Sequence, residues 1–367
     1  MVKAAVERGI SLLGGVEIFA LKGEKILLKP NLLSASPPEK CVTTHPSLFR
    51  AVAETFIAGG AEVSYGDSPA IGSTQGAAKK AGLQTVAEDL NIECADFKTG
   101  VEIFFEEGRQ NRKFVIAKGV LDCDGIVSLP KLKTHGLEKF TGSVKNQFGC
   151  IPGMLKGEYH VKLPDAWDFG KMLVDLNRFV NPRLYIMDGI EAMEGNGPRS
   201  GRPRRMNMLL FSTDPVALDA TVLRLIGLNP EYVPTTKFGN EFGAGTHNEE
   251  DIELVGDSFD DFKVLDFDID RTPAATRAEG VFVRFMGNRL TSKPVIVKEK
   301  CVTCGICVTM CPARPKAVDW FDGDTSEPPT YNYKSCIRCY CCQEVCPEGA
   351  ITLQAPIIRK LLTPVIG

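Results

Sequence analysis

Several familiar signatures are missing from this chain, and each absence removes a class of protein. No Gly-x-Gly-x-x-Gly opens a helix after a strand and no Gly-x4-Gly-Lys-Ser/Thr occurs, so neither the dinucleotide fingerprint nor a P-loop is present. Gly195-Asn196-Gly197 lacks the context that would make it one. Neither a Gly-x-Ser-x-Gly elbow nor a His-Glu-x-x-His pair is found, which removes the commonest hydrolase readings. Charge of one sign is lacking as well. The 43 basic and 46 acidic side chains nearly cancel, leaving no long-range field for a polyanion, so nucleic acid is not an expected partner. No membrane span is expected: the apolar stretch from Ala355 to Gly367 is short and broken by Arg359 and Lys360. Met1 to Arg8 lacks the basic-then-apolar pattern of an export signal and reads as an amphipathic helix closed by Gly14-Gly15.

What is present is cysteine, and its distribution matters more than its number. Nine of the 13 cysteines fall between residues 301 and 346. A secreted disulfide scaffold would spread them, whereas clustering means metal and points to a reducing cytoplasm. Cys301-x2-Cys304-x2-Cys307-x3-Cys311-Pro312 is followed by Cys336-x2-Cys339-x2-Cys342-x3-Cys346-Pro347, each matching the run of bacterial two-cluster ferredoxins. In that arrangement three closely spaced thiolates grip one [4Fe-4S] cubane and the fourth crosses to the other. Cys301, Cys304, Cys307 and Cys346 are therefore expected to hold one cluster, and Cys336, Cys339, Cys342 and Cys311 the second. The repeat extends beyond the cysteines. Val295-Ile296-Val297 and Thr330-Tyr331-Asn332-Tyr333 precede the two runs, and Ala317-Val318 and Ala350-Ile351 follow them. Cys341 breaks the register and reads as a spare thiol. Zinc is the alternative metal, since paired Cys-x2-Cys elements also build zinc sites. Cys41, Cys94, Cys123 and Cys150 read as small buried hydrophobes.

The larger region alternates strand and helix patterns. Strands are expected at Lys25–Leu28, Ala61–Tyr65, Gly125–Leu129 and Arg183–Met187. Helices are expected from Pro46, with Thr44 as N-cap, to Gly59-Gly60; from Trp167 to Val180; and from Pro215, after Asp214, to Gly227. The fold class that follows is α/β, a mostly parallel sheet flanked by helices, with a small α+β ferredoxin-like domain attached. The divisions are residues 1–257 for the α/β domain, 258–294 for a linker, 295–355 for the two-cluster domain and 356–367 for a docking tail.

Polar groups follow each expected strand. They are Lys29-Pro30-Asn31, Gly66-Asp67-Ser68-Pro69, Pro130-Lys131-Leu132-Lys133-Thr134-His135 and Asp188-Gly189, at the edge where open α/β sheets bind ligands. Gly142 to Gly149, with Lys145 and Asn146, and Met193 to Pro198, with Glu194, are expected to join this cleft. Lys29, Lys131, Lys133, Lys145, Lys156, His135 and His160 would make it cationic and suited to a carboxylate or phosphate. Lys133, His135 and Lys145 are the expected catalytic groups. Lys29, Asn31, Asp67, Ser68, Lys131, Asn146, Lys156, His160, Asp188 and Glu194 are the expected binding groups. Asp67, Asp188 and Glu194 would hold a divalent cation or balance those charges. Each lysine taken singly reads as a solvated surface residue, and each histidine as a packed or capping one. Arg199, Arg202, Arg204 and Arg205 read as a basic loop over this site, and the acid-rich run Glu249 to Asp270 as a solvated face.

These groups, in order, resemble the family catalogued as domain of unknown function 362. The resemblance is carried by Leu28-Lys29-Pro30-Asn31-Leu32, Thr43-Thr44-His45-Pro46, Gly66-Asp67-Ser68-Pro69, Pro130 to His135, Val144 to Gly149, Asp188-Gly189-Ile190, Met193 to Pro198 and Thr213 to Ala220. It covers nearly the whole chain and implies an iron-sulfur protein whose members often end in a ferredoxin-like domain, without implying a reaction. A more distant likeness to the N-terminal domain of lactate racemases implies an α/β fold by analogy. Members usually carry a short strand before the helix that opens this chain, so the resemblance implies a later start or a sheet short of one edge strand.

Three functions fit these readings. The first is an oxidoreductase moving single electrons through the clusters to an anionic substrate or bound organic cofactor in the cleft. The second is an electron-carrier subunit docking a partner donor or acceptor. The third is a non-redox enzyme acting on an anionic metabolite, with structural clusters. All three require the metal to be iron: protein purified without oxygen is expected to contain iron and acid-labile sulfide in about equal amounts. Zinc without sulfide would end the redox readings.

Overall fold

The computed structural model describes residues 1–274 and 291–355. The apolar runs become the centre of an eight-stranded sheet. In chain order its strands are β1 (Lys25–Pro30), β2 (Glu62–Tyr65) and β3 (Glu93–Cys94), then, after a separate antiparallel hairpin of β4 (Gly100–Phe104) and β5 (Lys113–Ala117), β6 (Gly125–Leu129), β7 (Lys131–His135), β8 (Lys139–Thr141), β9 (Leu184–Glu194) and β10 (Arg202–Ser212). The spatial order is β3-β2-β1-β6-β9-β7-β8, with β10 antiparallel beside β9. The pairs β1–β2, β1–β6, β2–β3, β6–β9 and β7–β9 are parallel.

Because successive strand residues point to opposite faces, a strand covered on both sides must be apolar at every position. β1 shows this: Ile26 and Leu28 enter a core beneath the helices Val2–Leu12 and Pro46–Ala58, while Leu27 enters another beneath the helix Ala166–Val180. A third cluster sets Tyr185, Met187 and Met208 against the helix Pro215–Leu225. Into it the chain also inserts Phe267 and Ile269, from the region where a linker was expected. The rest of that linker, residues 275–290, and the tail from 356 lie outside the described residues.

Helix starts follow their caps. Asp214 accepts from Val216 and Ala217 N–H, and Asp165 from Trp167 N–H. The helix Pro46–Ala58 differs from expectation. Its cap is His45, whose Nδ1 accepts from Ser47 N–H at 3.2 Å, while the Thr44 hydroxyl donates to the Leu129 carbonyl. Strand lengths differ more. Lys131 to His135, expected as a loop, is the fully buried β7, and Asp188-Gly189 lies inside an eleven-residue β9 rather than past its end. The expected basic loop is largely β10, an edge strand whose arginines pair with acids.

The C-terminal domain repeats itself. β11 (Lys293–Ile296) pairs with β14 (Ile351–Gln354), and β12 (Val318–Asp319) with β13 (Thr330–Tyr331). Short helices, Ile306–Thr309 and Cys341–Val345, follow the cysteine turns. The turns match residue for residue: Thr303 and Gly305 have φ of 52° and 69°, Arg338 and Tyr340 of 56° and 61°.

Candidate functional site

The cysteine turns build the first part of the site. Cys301, Cys304, Cys307 and Cys346 line one cavity, which brings the first three thiols of one run to the fourth of the other. Backbone amides aim at the crossing sulfurs: Ala317 N–H donates to Cys311 Sγ at 3.4 Å and Ala350 N–H to Cys346 Sγ at 3.3 Å. Thiols on two interlocking turns with amide dipoles directed at sulfur suit a cubane cluster, whose charge such dipoles stabilise. Cys341 is buried with its thiol against Cys339. Among the scattered cysteines, burial pushes Cys150 up to about 12, so it is an inert core thiol.

The strand ends of the α/β domain build the second part. Lys29 Nζ lies 3.0 Å from Asp67 Oδ1, and the other Asp67 oxygen accepts from Leu32 N–H. Lys131 pairs with Asp188 at 2.9 Å, and Asp188 also accepts from the His45 and Ile190 amides. Lys133 donates to Asn31 Oδ1 and to the Val42 carbonyl, both at 2.7 Å. Asn31 in turn meets Asn146, which donates to Ser128 Oγ. Lys156 donates to Ser68 Oγ and to the Ser68 carbonyl. Burial pushes the Lys133 ammonium well below the ordinary lysine range, with Lys145 and Lys131 adding to it, and pushes Lys156 down to about 7. The structure brings these residues together, and of the two roles expected for the acids Asp67 and Asp188 take that of balancing lysine charge. Asp67 and Asp188 are committed to lysines and backbone amides and do not form a divalent-cation site with Glu194. Glu194 sits apart, accepting from Asp268 N–H and pairing with Arg202.

A smaller group keeps unmet polar capacity. Lys145 Nζ lies over the Phe148 ring at 5.7 Å and makes no hydrogen bond or ion pair among the described residues. His160 stacks on Phe169 at 4.4 Å, and its Nδ1 is buried without a partner. His135 Nδ1 accepts from the amides of Leu137 and Glu138, both at 3.1 Å. The ring proton therefore sits on Nε2, 2.9 Å from Glu344 Oε1. Burial lowers both His135 and His160 to about 4. Glu344 is held down to about 2 although burial alone would raise it, because His135, Lys145 and His160 surround it. Glu138 is wholly buried with neither carboxyl oxygen hydrogen-bonded, and burial pushes it well above the usual carboxylate range, against the opposing pull of Lys145. Sequence reasoning missed both glutamates. Glu344 is masked by its place between Cys342 and Cys346, and Glu138 by a turn whose burial no local pattern announces.

The same junction bears on two further expectations. Asn196 and Gly197 line a cavity together with Thr134 and His135, and they also hold the cysteine domain: their carbonyls and the Asn196 side chain accept from Gln343 Nε2 at 2.8–3.1 Å. Arg199 does not cap an anion site but donates to the Val345 carbonyl at 2.7 Å. The loop is a receptor for the cysteine domain.

Buried neutral histidines make a signed prediction. The unfolded chain binds protons below the ordinary histidine value of 6.5 that the folded chain refuses until about 4, so stability falls as pH drops through that window. His160→Phe, which keeps the stack on Phe169, is expected to lessen the loss between pH 8 and 5.5 by about 1 kcal/mol in anaerobic urea unfolding. An unchanged loss would mean that His160 is not held neutral.

Comparison with known proteins agrees with this architecture. The family described as domain of unknown function (DUF362) matches residues 26–224, and a 4Fe-4S dicluster domain matches residues 293–347. A thylakoid-associated protein of Synechocystis is 38% identical over 224 residues, 61% of this chain and 69% of that protein. The delta subunit of an NADH-dependent phenylglyoxylate dehydrogenase from Aromatoleum evansii is 31% identical over 64 residues, 17% of this chain and 60% of that protein. An uncharacterized ferredoxin of Methanocaldococcus jannaschii is 30% identical over 66 residues, 18% and 83% of the two chains. Among solved structures, a lactate racemase apoprotein from Thermoanaerobacterium thermosaccharolyticum matches with a TM-score of 0.41 at 12% identity, over 59% of this chain and 54% of that one. The chain thus spans about half the length of that structure. No helix among the described residues is long and apolar enough to cross a membrane. The chain belongs to the domain of unknown function 362 family and binds two [4Fe-4S] clusters in a C-terminal dicluster domain of the ferredoxin type.

Proposed function

We propose that this protein is an oxidoreductase of the reducing cytoplasm that passes single electrons between its iron-sulfur domain and an anionic substrate or bound cofactor beside Lys145, His135 and His160. The observation that carries the reading is the 2.9 Å approach of His135 to Glu344, which joins the end of β7 to the segment between Cys342 and Cys346. Cys301, Cys304, Cys307 and Cys346 are the ligands of the outer cluster, and Cys336, Cys339, Cys342 and Cys311 those of the inner one. Two such clusters supply one-electron chemistry when bound.

The protein's own groups do the rest. Lys145 makes no hydrogen bond or ion pair among the described residues, although Glu344 lies within its field, and it is the group that holds a carboxylate or phosphate. His160 offers an unused ring nitrogen beside it. His135 fixes a proton on Nε2 toward Glu344, and Glu138, kept neutral by burial, is an acid within the same electrostatic neighbourhood. Lys29, Lys131, Lys133 and Lys156, already hydrogen-bonded, set the floor of the site.

A second reading has its own support. The dicluster segment resembles a delta subunit of an oxidoreductase, and Cys304 and Val302 are exposed on the outer edge, where a partner protein would exchange electrons. In that reading the chain is an electron-carrier subunit.

Lys145→Ala separates the two. For an enzyme, the variant is expected to keep about eight irons per chain while losing at least tenfold in reoxidation of the dithionite-reduced protein by small anionic acceptors, followed anaerobically by absorbance. Native mass spectrometry should also show loss of any co-purifying anion. Unchanged reoxidation by every anionic acceptor, together with a stable complex with another oxidoreductase, would replace the enzyme reading with the carrier one.

A further inference from the structure

Arg338 has no ion-pair partner among the described residues. It is 5% exposed, and its Nε and Nη1 are buried without a hydrogen-bond partner among the described residues. Its guanidinium stands over the Tyr333 ring at 5.1 Å, a contact too weak to replace lost hydration. Two other arginines near the cysteines differ in having carbonyl acceptors: Arg199 donates to Val345, and Arg314 to Cys311 and Ala313. An arginine cannot escape burial by giving up its proton, and a cation enclosed without an anion is strongly destabilising. None of the described side chains balances it.

Its position says what does. Arg338 lies between Cys336 and Cys339 at φ 56°, and the first run places Thr303 at φ 52° on the equivalent turn. The two turns share a backbone, but only the second carries a charge. A cubane held by four thiolates is anionic and becomes more so when reduced. We propose that Arg338 is the counter-ion of the cluster bound by Cys336, Cys339, Cys342 and Cys311, and that it raises the reduction potential of that cluster. The proposal deepens the electron-transfer reading and rests on its cysteine assignment.

Two neighbours act in the same place. The Tyr331 hydroxyl donates to Cys342 Sγ at 3.2 Å, and hydrogen bonds to cluster sulfur also favour the reduced state. The corresponding position before the first run is Ile296, which has nothing to donate. Glu344 is the opposing acid, but it lies 2.9 Å from His135 and has Lys145 and His160 beside it. The need for a cation follows from burial. Cys339 and Cys342 are each 8% exposed, whereas Cys304 is open to solvent. Enclosure disfavours an added electron, and the guanidinium offsets that penalty at the end of the domain that faces Lys145.

The test is an anaerobic redox titration of the cluster-loaded protein followed by EPR, with Arg338→Gln and Arg338→Lys. In Arg338→Gln one of the two cluster signals is expected to titrate at a more negative potential while the other stays in place, and Arg338→Lys should recover most of the shift. Unchanged potentials in Arg338→Gln, or an equal shift in both variants, would overturn the proposal. Loss of one cluster in Arg338→Gln but not in Arg338→Lys would support it, and loss in both would refute it. These outcomes are independent of whether small anions reoxidise the protein, so the enzyme reading and the counter-ion role fail separately.

Discussion

The contact between the loop at residues 195–200 and the segment from Gln343 to Cys346 is the constraint on which the site depends. Gln343 gives its amide to Asn196 and Gly197, Asn196 gives its own to the Ile351 carbonyl, and Arg199 reaches the Val345 carbonyl. Most of these bonds end on backbone, so they fix the position of one chain segment against another and not merely the pairing of two side chains. Without them His135 and Glu344 would have no reason to meet. The docking also makes the iron-sulfur domain, through Arg338, Tyr340 and Leu353, one wall of the cavity beside His135.

Burial of charge is the second theme of the structure. Lys29 with Asp67 and Lys131 with Asp188 are pairs almost wholly removed from water. Such pairs seldom add net stability, because the cost of dehydrating both ions is close to what their attraction returns, although removing one partner alone is severely destabilising. Their use here is positional. They hold the strand ends of β1 and β7 against the loop after β2 and against β9, and among the described residues they leave Lys145 without an ion pair.

How much of this was legible in the sequence divides along the same line. The cysteine spacing carries its own geometry, since three thiols two residues apart can only wrap one small object, and the repeat in the flanking residues locates the short strands. β1 and β6 were readable because strands covered on both faces are apolar throughout. β7 was not, because its lysines and histidine look like a loop until their partners, far away in sequence, are known. The helix cap moved from Thr44 to His45 for a similar reason: Thr44 is occupied by the carbonyl of Leu129 on another strand. The ligand-like glycines at 195 and 197 were visible, but a sequence does not show whether close backbone approach serves a small molecule or a second domain.

The residue at position 340 has a consequence of its own. Where the first half of the iron-sulfur domain uses Gly305 for a left-handed turn, the second half uses Tyr340, at a conformational cost of about 1 kcal/mol. The ring is buried against the α/β domain, near Gly136, and its hydroxyl donates to the Ser292 carbonyl. A domain built from two like halves has two nearly equivalent ways to sit on its neighbour, related by half a rotation. A bulky aromatic on one half and a bare glycine on the other abolish that degeneracy, so assembly has a single handedness and the inner and outer clusters never exchange places.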